Sequence, residues 1–340
     1  MAALLAWAAA PRDVALVMPR VASGAQGMRP VLPDEHAWAE IGRLDPAGHG
    51  HCSYDLVPGQ AVRLSPRVIR VTANNGSMMT GPGTNTYLVG GGAHNVWAAI
   101  DPGPLLPEHV QAILAAAPGP IESIFVTHTH KDHSPAALAL QAATGAKLHG
   151  RIAAHPQWQD TSFVPDLALA GGERFELSED ATLRVIHTPG HASNHLCYLL
   201  EQEQLLFTGD HVMQSSTVVI NPPDGDMRAY LVSLHALLDE PLEWFAPGHG
   251  FLMAQPHAAL RSIIAHRGRR EAKLLGVLRA SGAAPIEALL PKVYDDVSAR
   301  LHPMAERSLT AHLFKLRDEA VLSWENGHWG FLAPALPREP

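Results

Sequence analysis

One short segment of the sequence indicates metal chemistry. Residues 127–133 have the sequence Thr-His-Thr-His-Lys-Asp-His and follow an apolar, strand-like run. Imidazole nitrogens and carboxylates are ligands that borderline metals such as zinc prefer, and a catalytic site also leaves a coordination position open. Because one loop cannot complete two coordination spheres, this segment predicts half of a two-metal site.

Three downstream segments offer further ligands. Residues 188–191 (Thr-Pro-Gly-His), 208–210 (Thr-Gly-Asp) and 246–249 (Ala-Pro-Gly-His) each follow a β-like run and contain a glycine. A single histidine is more often an ordinary hydrogen-bonded imidazole than a metal ligand. The joint occurrence of four such segments in one chain favours ligation over that interpretation.

In this order, the segments resemble the metal-binding motifs of the metallo-β-lactamase superfamily. The ligands that the resemblance implies for a first metal ion are His128, His130 and His191. Those for a second ion are Asp132, His133 and His249, with Asp210 bridging the two. Asp101, in Ile-Asp-Pro-Gly, matches the first motif of the superfamily, where the carboxylate is structural.

The resemblance also implies a reaction. It predicts a dinuclear zinc-dependent hydrolase with two Zn²⁺ ions, iron or manganese being the alternative metals. A water bridging the metals would attack an ester, thioester or phosphodiester bond, and Asp132 would be catalytic by orienting that water. Two alternatives stay open: a single-stranded RNA endonuclease of the lactamase-beta-two type, and a persulfide dioxygenase with one iron ion.

Substrate-binding residues are predicted from their position beside the ligand turns. Thr84 and Asn85 lie in Gly-Pro-Gly-Thr-Asn-Thr, a segment similar to the lactamase-beta-two branch, His195 lies four residues after His191, and Tyr230 lies in a predicted helix.

The same resemblance implies an α/β fold, an αββα metallo-β-lactamase sandwich followed by a small winged-helix-like α+β domain. The predicted domains are an N-terminal extension of unknown role (1–60), a catalytic domain (61–255) and a winged-helix-like domain (256–340).

The strand-like runs are 68–72, 86–89, 96–100, 121–127, 182–187, 196–200, 205–208 and 242–245. The helix-like runs are 107–116, 136–143, 227–238, 256–281, 286–294 and 304–318. Ser134 and Pro135 predict the N-cap and first turn of the second helix, and Asn326-Gly327 between apolar runs predicts a hairpin.

Composition limits the partners. The chain has 340 residues, 46% of them hydrophobic, and a net charge of −8, which argues against nucleic-acid binding through bulk charge. Two cysteines and an apolar start without lysine or arginine favour a cytoplasmic protein with no membrane partner. We expect a small-molecule or acyl-thioester substrate, with single-stranded RNA as a second class, and a homodimer as a further expectation.

One basic cluster complicates this view. Residues 266–270 have the sequence His-Arg-Gly-Arg-Arg, which on a winged helix could contact phosphates. A solvated helix face or a dimer surface is the favoured interpretation, because helix 304–318 carries mixed charge.

Overall fold

The first sheet has seven strands that follow one another in chain order. The computed structural model describes residues 57–213 and 217–332. The strands are β1 (Ala61–Ser65), β2 (Val68–Thr72), β3 (Asn85–Gly91), β4 (Val96–Ile100), β5 (Ile121–Phe125), β6 (Lys147–Gly150) and β7 (Leu167–Ala168). Pairing is antiparallel from β1 to β4 and parallel from β4 to β7. The parallel strands therefore end at the same edge of the sheet.

The second sheet has six strands in the order β13-β12-β11-β10-β9-β8. They are β8 (Arg174–Ser178), β9 (Ala181–His187), β10 (Leu196–Leu200), β11 (Leu205–Gly209), β12 (Trp244–Pro247) and β13 (Met253–Ala254). Only β11 and β12 pair in parallel; the other neighbours are antiparallel. A short 3₁₀ turn, Glu201–Glu203, connects β10 to β11.

The two sheets pack face to face. Strand β9 alternates between buried and half-buried positions, so Leu183 and Val185 point inward, where they join Phe125, Tyr198 and Phe207 in a core shared by both sheets. Alternation of this kind is the period-2 signal of a strand with one buried face.

Helices cover the outer faces of both sheets. Helices α1 (Pro107–Ala116) and α2 (Ala137–Thr144) pack on the first sheet, and α3 (Met227–Leu237) and α4 (Pro256–Ser281) pack on the second. These layers confirm the αββα sandwich. Within the described ranges, no helix combines the length and the apolar composition that crossing a bilayer requires.

The C-terminal unit has its own core. Helix α4 is followed by α5 (Ile286–Val293), a 3₁₀ turn (Ala299–Leu301), α6 (His302–Asp318) and the hairpin of β14 (Leu322–Glu325) and β15 (His328–Phe331). Asn326 and Gly327 both have positive φ angles, 49° and 82°, as a tight two-residue hairpin turn requires. The order of helices and hairpin confirms the winged-helix-like prediction.

Two local predictions were wrong. Helix α2 begins after Ala136 without a side-chain cap, because Ser134 Oγ donates to Asp160 Oδ2 at 2.7 Å instead. The favoured interpretation of residues 266–270 as a solvated helix face or a dimer surface was wrong for Arg267 and Arg270, which are buried and donate to the carbonyl oxygens of Val218 and Val293. The predicted 1–60 extension lies, up to residue 56, outside the described residues.

Candidate metal centre

All four ligand segments begin where a strand ends. Residues 128–133 follow β5 of the first sheet, and His191, Asp210 and His249 follow β9, β11 and β12 of the second. The strand ends meet at one edge of the sandwich, and this convergence brings together side chains far apart in sequence.

Asp101 organises the first ligand loop. Its Oδ1 accepts a hydrogen bond from the Thr127 backbone N–H at 2.7 Å, and its Oδ2 accepts one from Thr127 Oγ1 at 2.7 Å. His133 Nδ1 lies 2.9 Å from the same Oδ2. A donor at Nδ1 leaves Nε2 as the ligand atom of His133, which is how carboxylates orient metal-binding histidines. The structure thus agrees with a structural role for Asp101.

The first group of candidate ligands consists of His128, His130 and His191, whose ligand atoms lie within 4.8 Å of one another. Nε2 of His128 and Nε2 of His191 lie 2.9 Å and 3.0 Å from Nδ1 of His130. Burial lowers the pKa of His130 to about 3, with the neighbouring His191 adding to the effect. Burial also lowers the pKa of His128 and His191, so the three imidazoles stay neutral, as metal ligation requires.

A backbone contact orients His191. Its Nδ1 donates to the carbonyl oxygen of Val219 at 2.8 Å, so Nε2 faces the other two imidazoles. The loop that contains Val219 is therefore part of the site's support.

The second group consists of Asp132, His133, Asp210 and His249. His249 Nε2 lies 3.3 Å from Asp132 Oδ2 and 3.2 Å from Asp210 Oδ1, and His133 Nε2 lies 3.4 Å from Asp210 Oδ1. The other oxygen of Asp210, Oδ2, lies 3.7 Å from His191 Nε2 of the first group. Asp210 therefore stands between the groups, at the position of a bridging ligand.

Electrostatics in the second group favour cations. Burial disfavours a charged His249, but Asp210 and Asp132 outweigh it and raise the pKa of His249 to about 9. The same carboxylates and Asp101 raise the pKa of His133 despite its burial. Burial would raise the pKa of Asp210, but His249 and His133 lower it well below its usual range.

The donor set fits two divalent cations. In the described chain, the buried atoms Nε2 of His133, Nε2 of His249 and Oδ1 of Asp210 have no hydrogen-bond partner. Both nitrogens lie within 3.4 Å of Asp210 Oδ1, so a cation bound here could take all three atoms as ligands.

Two further predicted residues, His195 and Tyr230, lie behind the ligands. His195 is fully buried, packs against His128 with ring centroids 5.0 Å apart, and places Nδ1 2.9 Å from Thr188 Oγ1. Tyr230 is also buried, and its hydroxyl donates to the carbonyl oxygen of His211 at 2.9 Å.

Thr84 and Asn85 are buried beside the last ligand turn. The backbone N–H of Asn85 donates to Gly248 O at 2.7 Å, and its Nδ2 donates to Pro247 O at 3.1 Å and Gly250 O at 2.8 Å. This placement indicates that the four residues support the ligand turns. They are Thr84, Asn85, His195 and Tyr230. Their contact with a substrate stays a prediction.

A cavity of about 280 Å³ opens beside the ligands. Its wall includes His130, Asp132, His191 and Asp210 from the metal centre. The sequence analysis missed the other wall residues, which include Met79, Lys131, Trp158, Gln159, Asp224 and Arg307. Of these, only Lys131 could have been recognised from the sequence, because it lies inside the histidine loop. Trp158 and Arg307 lie in segments without a recognisable motif.

Comparison with known families agrees with this geometry. Residues 79–249 match the Metallo-beta-lactamase superfamily, and residues 286–329 match the Beta-lactamase associated winged helix domain. The chain belongs to the metallo-β-lactamase superfamily, and it is a hydrolase.

Two relatives cover most of the chain. A "Beta-lactamase-like protein 2 homolog" of Drosophila melanogaster is 30% identical over 280 residues, which span 78% of this chain and 93% of the relative. An "Atrochrysone carboxyl ACP thioesterase" of Aspergillus chevalieri is 32% identical over 274 residues, which span 77% of this chain and 85% of the relative.

Solved structures share the fold. A beta-lactamase domain protein from Burkholderia ambifaria has a TM-score of 0.66 at 18% identity and covers 82% of this chain and 95% of its own. A metallo-beta-lactamase family protein from Thermus thermophilus has a TM-score of 0.61 at 22% identity and covers 73% of this chain and 93% of its own.

Proposed function

We propose that this hydrolase is a dinuclear zinc enzyme that cleaves acyl thioesters. The observation that carries the proposal is the position of Asp210 between two groups of candidate ligands beside an open cavity. The thioester class is supported by the relative named as an acyl carrier protein thioesterase.

Bound divalent cations supply Lewis acidity and lower the pKa of water, so that hydroxide is available near neutral pH. The candidate ligands for the first ion are His128, His130 and His191; those for the second are Asp132, His133 and His249, with Asp210 shared.

Besides being a candidate ligand, Asp132 would orient the attacking water. Its side chain is 28% exposed and lines the cavity, whereas His133 and His249 are buried. A carboxylate at the open side of the centre can accept a hydrogen bond from the attacking water and hold it in line with the scissile carbonyl. The buried imidazoles behind it exclude bulk water and stay fixed during the reaction.

The test combines metal content with activity. We would measure zinc, iron and manganese in freshly purified full-length protein by mass spectrometry. The same preparation would be assayed on acyl thioesters and on a fluorogenic single-stranded RNA. We expect about two zinc ions per chain and thioester turnover.

Two variants separate the site from the rest of the surface. Asp210→Ala should abolish turnover and lower the metal content, because it removes the shared carboxylate. Asp239→Ala, which removes an exposed carboxylate near the end of α3, should change neither. Turnover of RNA alone would assign the RNA endonuclease instead, and one iron per chain with thiol-dependent oxygen uptake would assign the persulfide dioxygenase.

A further inference from the structure

The cavity beside the metal centre has one wall residue from the C-terminal unit. Of the residues that line it in the described chain, Arg307 alone lies beyond position 255. Arg307 is exposed on helix α6, so the winged-helix-like unit contributes directly to the space where a substrate would lie.

Trp158 contacts this arginine. The Arg307 guanidinium lies over the Trp158 ring, 5.7 Å from its centroid. Trp158 is 56% exposed and also lines the cavity. An arginine stacked on an aromatic face keeps its N–H groups free to donate in the plane, which suits bidentate binding of carboxylate or phosphate.

Arg307 and its neighbour across the cavity, Lys131, are cations without an acidic partner. No ion pair joins either side chain to a carboxylate within residues 57–213 and 217–332. The carboxylates of the same wall have other partners: Asp132 and Asp210 lie in the metal centre, and Asp224 accepts hydrogen bonds from Gln159 Nε2 and Ser193 Oγ. Two positive charges at the rim are thus available for a ligand.

Two further cavities lie beside helix α6. A second cavity of about 290 Å³ shares Asn221 and Arg307 with the first, and a third of about 400 Å³ shares Pro222 with the second. The third reaches Asp318. At about 1.5 Å of helix rise per residue, the part of α6 from Arg307 to Asp318 is roughly 16 Å long.

We propose that Arg307, together with Lys131, binds an anionic group of the substrate and thereby selects which thioesters are hydrolysed. The group is a phosphate on the thiol arm or a carboxylate on the acyl part, both of which the guanidinium can bind in the same way. The inference rests on the proposed thioester activity, and its test separates the two.

The test compares three thioesters: butanoyl coenzyme A, which carries phosphates on the thiol arm; succinyl N-acetylcysteamine, which carries a carboxylate on the acyl part; and butanoyl N-acetylcysteamine, which carries neither. Arg307→Ala should lower kcat/KM about 10- to 100-fold for the substrate with the recognised anion, the usual effect of losing a charge-assisted hydrogen bond. The neutral thioester should change less than about twofold. Arg307→Lys should lose less of kcat/KM than Arg307→Ala, because lysine keeps the positive charge but lacks the planar guanidinium.

A control variant tests the specificity of the effect. Arg269→Ala removes an exposed arginine of α4 outside the cavities and should leave all three rates unchanged. Equal loss on all three thioesters in Arg307→Ala, or no loss on either charged one, would overturn the proposal.

A binding measurement keeps the two proposals apart. If the wild-type protein hydrolyses none of the three thioesters, the proposed thioester activity fails, and titration calorimetry with coenzyme A and with succinate decides the anion site. Binding that is at least tenfold weaker in Arg307→Ala supports it. Equal binding in both proteins overturns it.

Discussion

Replacing Arg267 with methionine should weaken metal binding from a distance. Arg267 is buried on α4, donates from Nη2 to Val218 O, and lies over the ring of Tyr230, 5.4 Å from its centroid. The next residue of the loop, Val219, accepts the hydrogen bond that orients His191. Methionine fills a similar space, but it leaves the loop carbonyl without its donor.

The magnitude follows from these contacts. A hydrogen bond to a charged group contributes about 1.5–3 kcal/mol, and a desolvated cation–π contact can contribute about 2 kcal/mol. Removing the buried charge regains part of this, so we expect a net loss of roughly 2 kcal/mol in the free energy of unfolding. For metal binding, the loss of an outer-shell contact typically costs about 10- to 100-fold in affinity.

The assay is zinc competition against a chromogenic chelator, with thermal unfolding of the same samples. Arg269→Met, on the exposed side of the same helix, is the matched control and should leave both quantities unchanged. The reasoning would be refuted by an Arg267→Met protein that is less stable but binds zinc with wild-type affinity. That result would show that the loop places His191 without help from α4.

Three further predictions concern stability. Arg270 donates hydrogen bonds to Asp296 and lowers the pKa of its carboxyl to about 2. Because this pKa is lower in the folded than in the unfolded protein, the ionised carboxylate stabilises the folded protein above about pH 4, and the stabilisation is lost as the pH falls towards 2. Asp296→Asn should therefore reduce the fall in the free energy of unfolding at acid pH, measured by urea denaturation at a series of pH values. Gly190 has a φ of 144°, and a Cβ there would lie 2.3 Å from the Cα of Tyr230, so Gly190→Ala should lower the free energy of unfolding by about 3 kcal/mol or more in urea titrations. Asn85→Ala, which removes two hydrogen bonds to the last ligand turn, should cost about 1–3 kcal/mol by the same titration and lower zinc affinity in the chelator assay.

The convergence of the candidate ligands could be predicted from the sequence because they stand in short turns directly after strands. Strand ends are indicated by local sequence pattern, so the order of the turns was enough for the resemblance to place His128 with His191, and Asp210 with His249. The long helix α4 was also predicted to the residue, since its apolar period extends over many turns.

The rest depended on tertiary contacts that no local pattern encodes. Ser134 has the side chain of a helix cap, but its hydroxyl donates a hydrogen bond to Asp160 Oδ2 instead. The burial of Arg267 depends on a loop about 50 positions earlier in the chain. Arg307 meets Trp158 across about 150 positions of the chain, at the wall of the cavity.

The ligand turns tie the two sheets to each other. Residues 128–133 extend from the first sheet, whereas His191, Asp210 and His249 extend from the second. A partly folded chain offers a metal only the local histidine loop, so tight binding requires both sheets to be docked. Ions that bind only the native state stabilise it by mass action, by about 2.7 kcal/mol at a free concentration one hundred times Kd. With the proposed metal binding, the cellular lifetime of this protein should therefore follow metal supply.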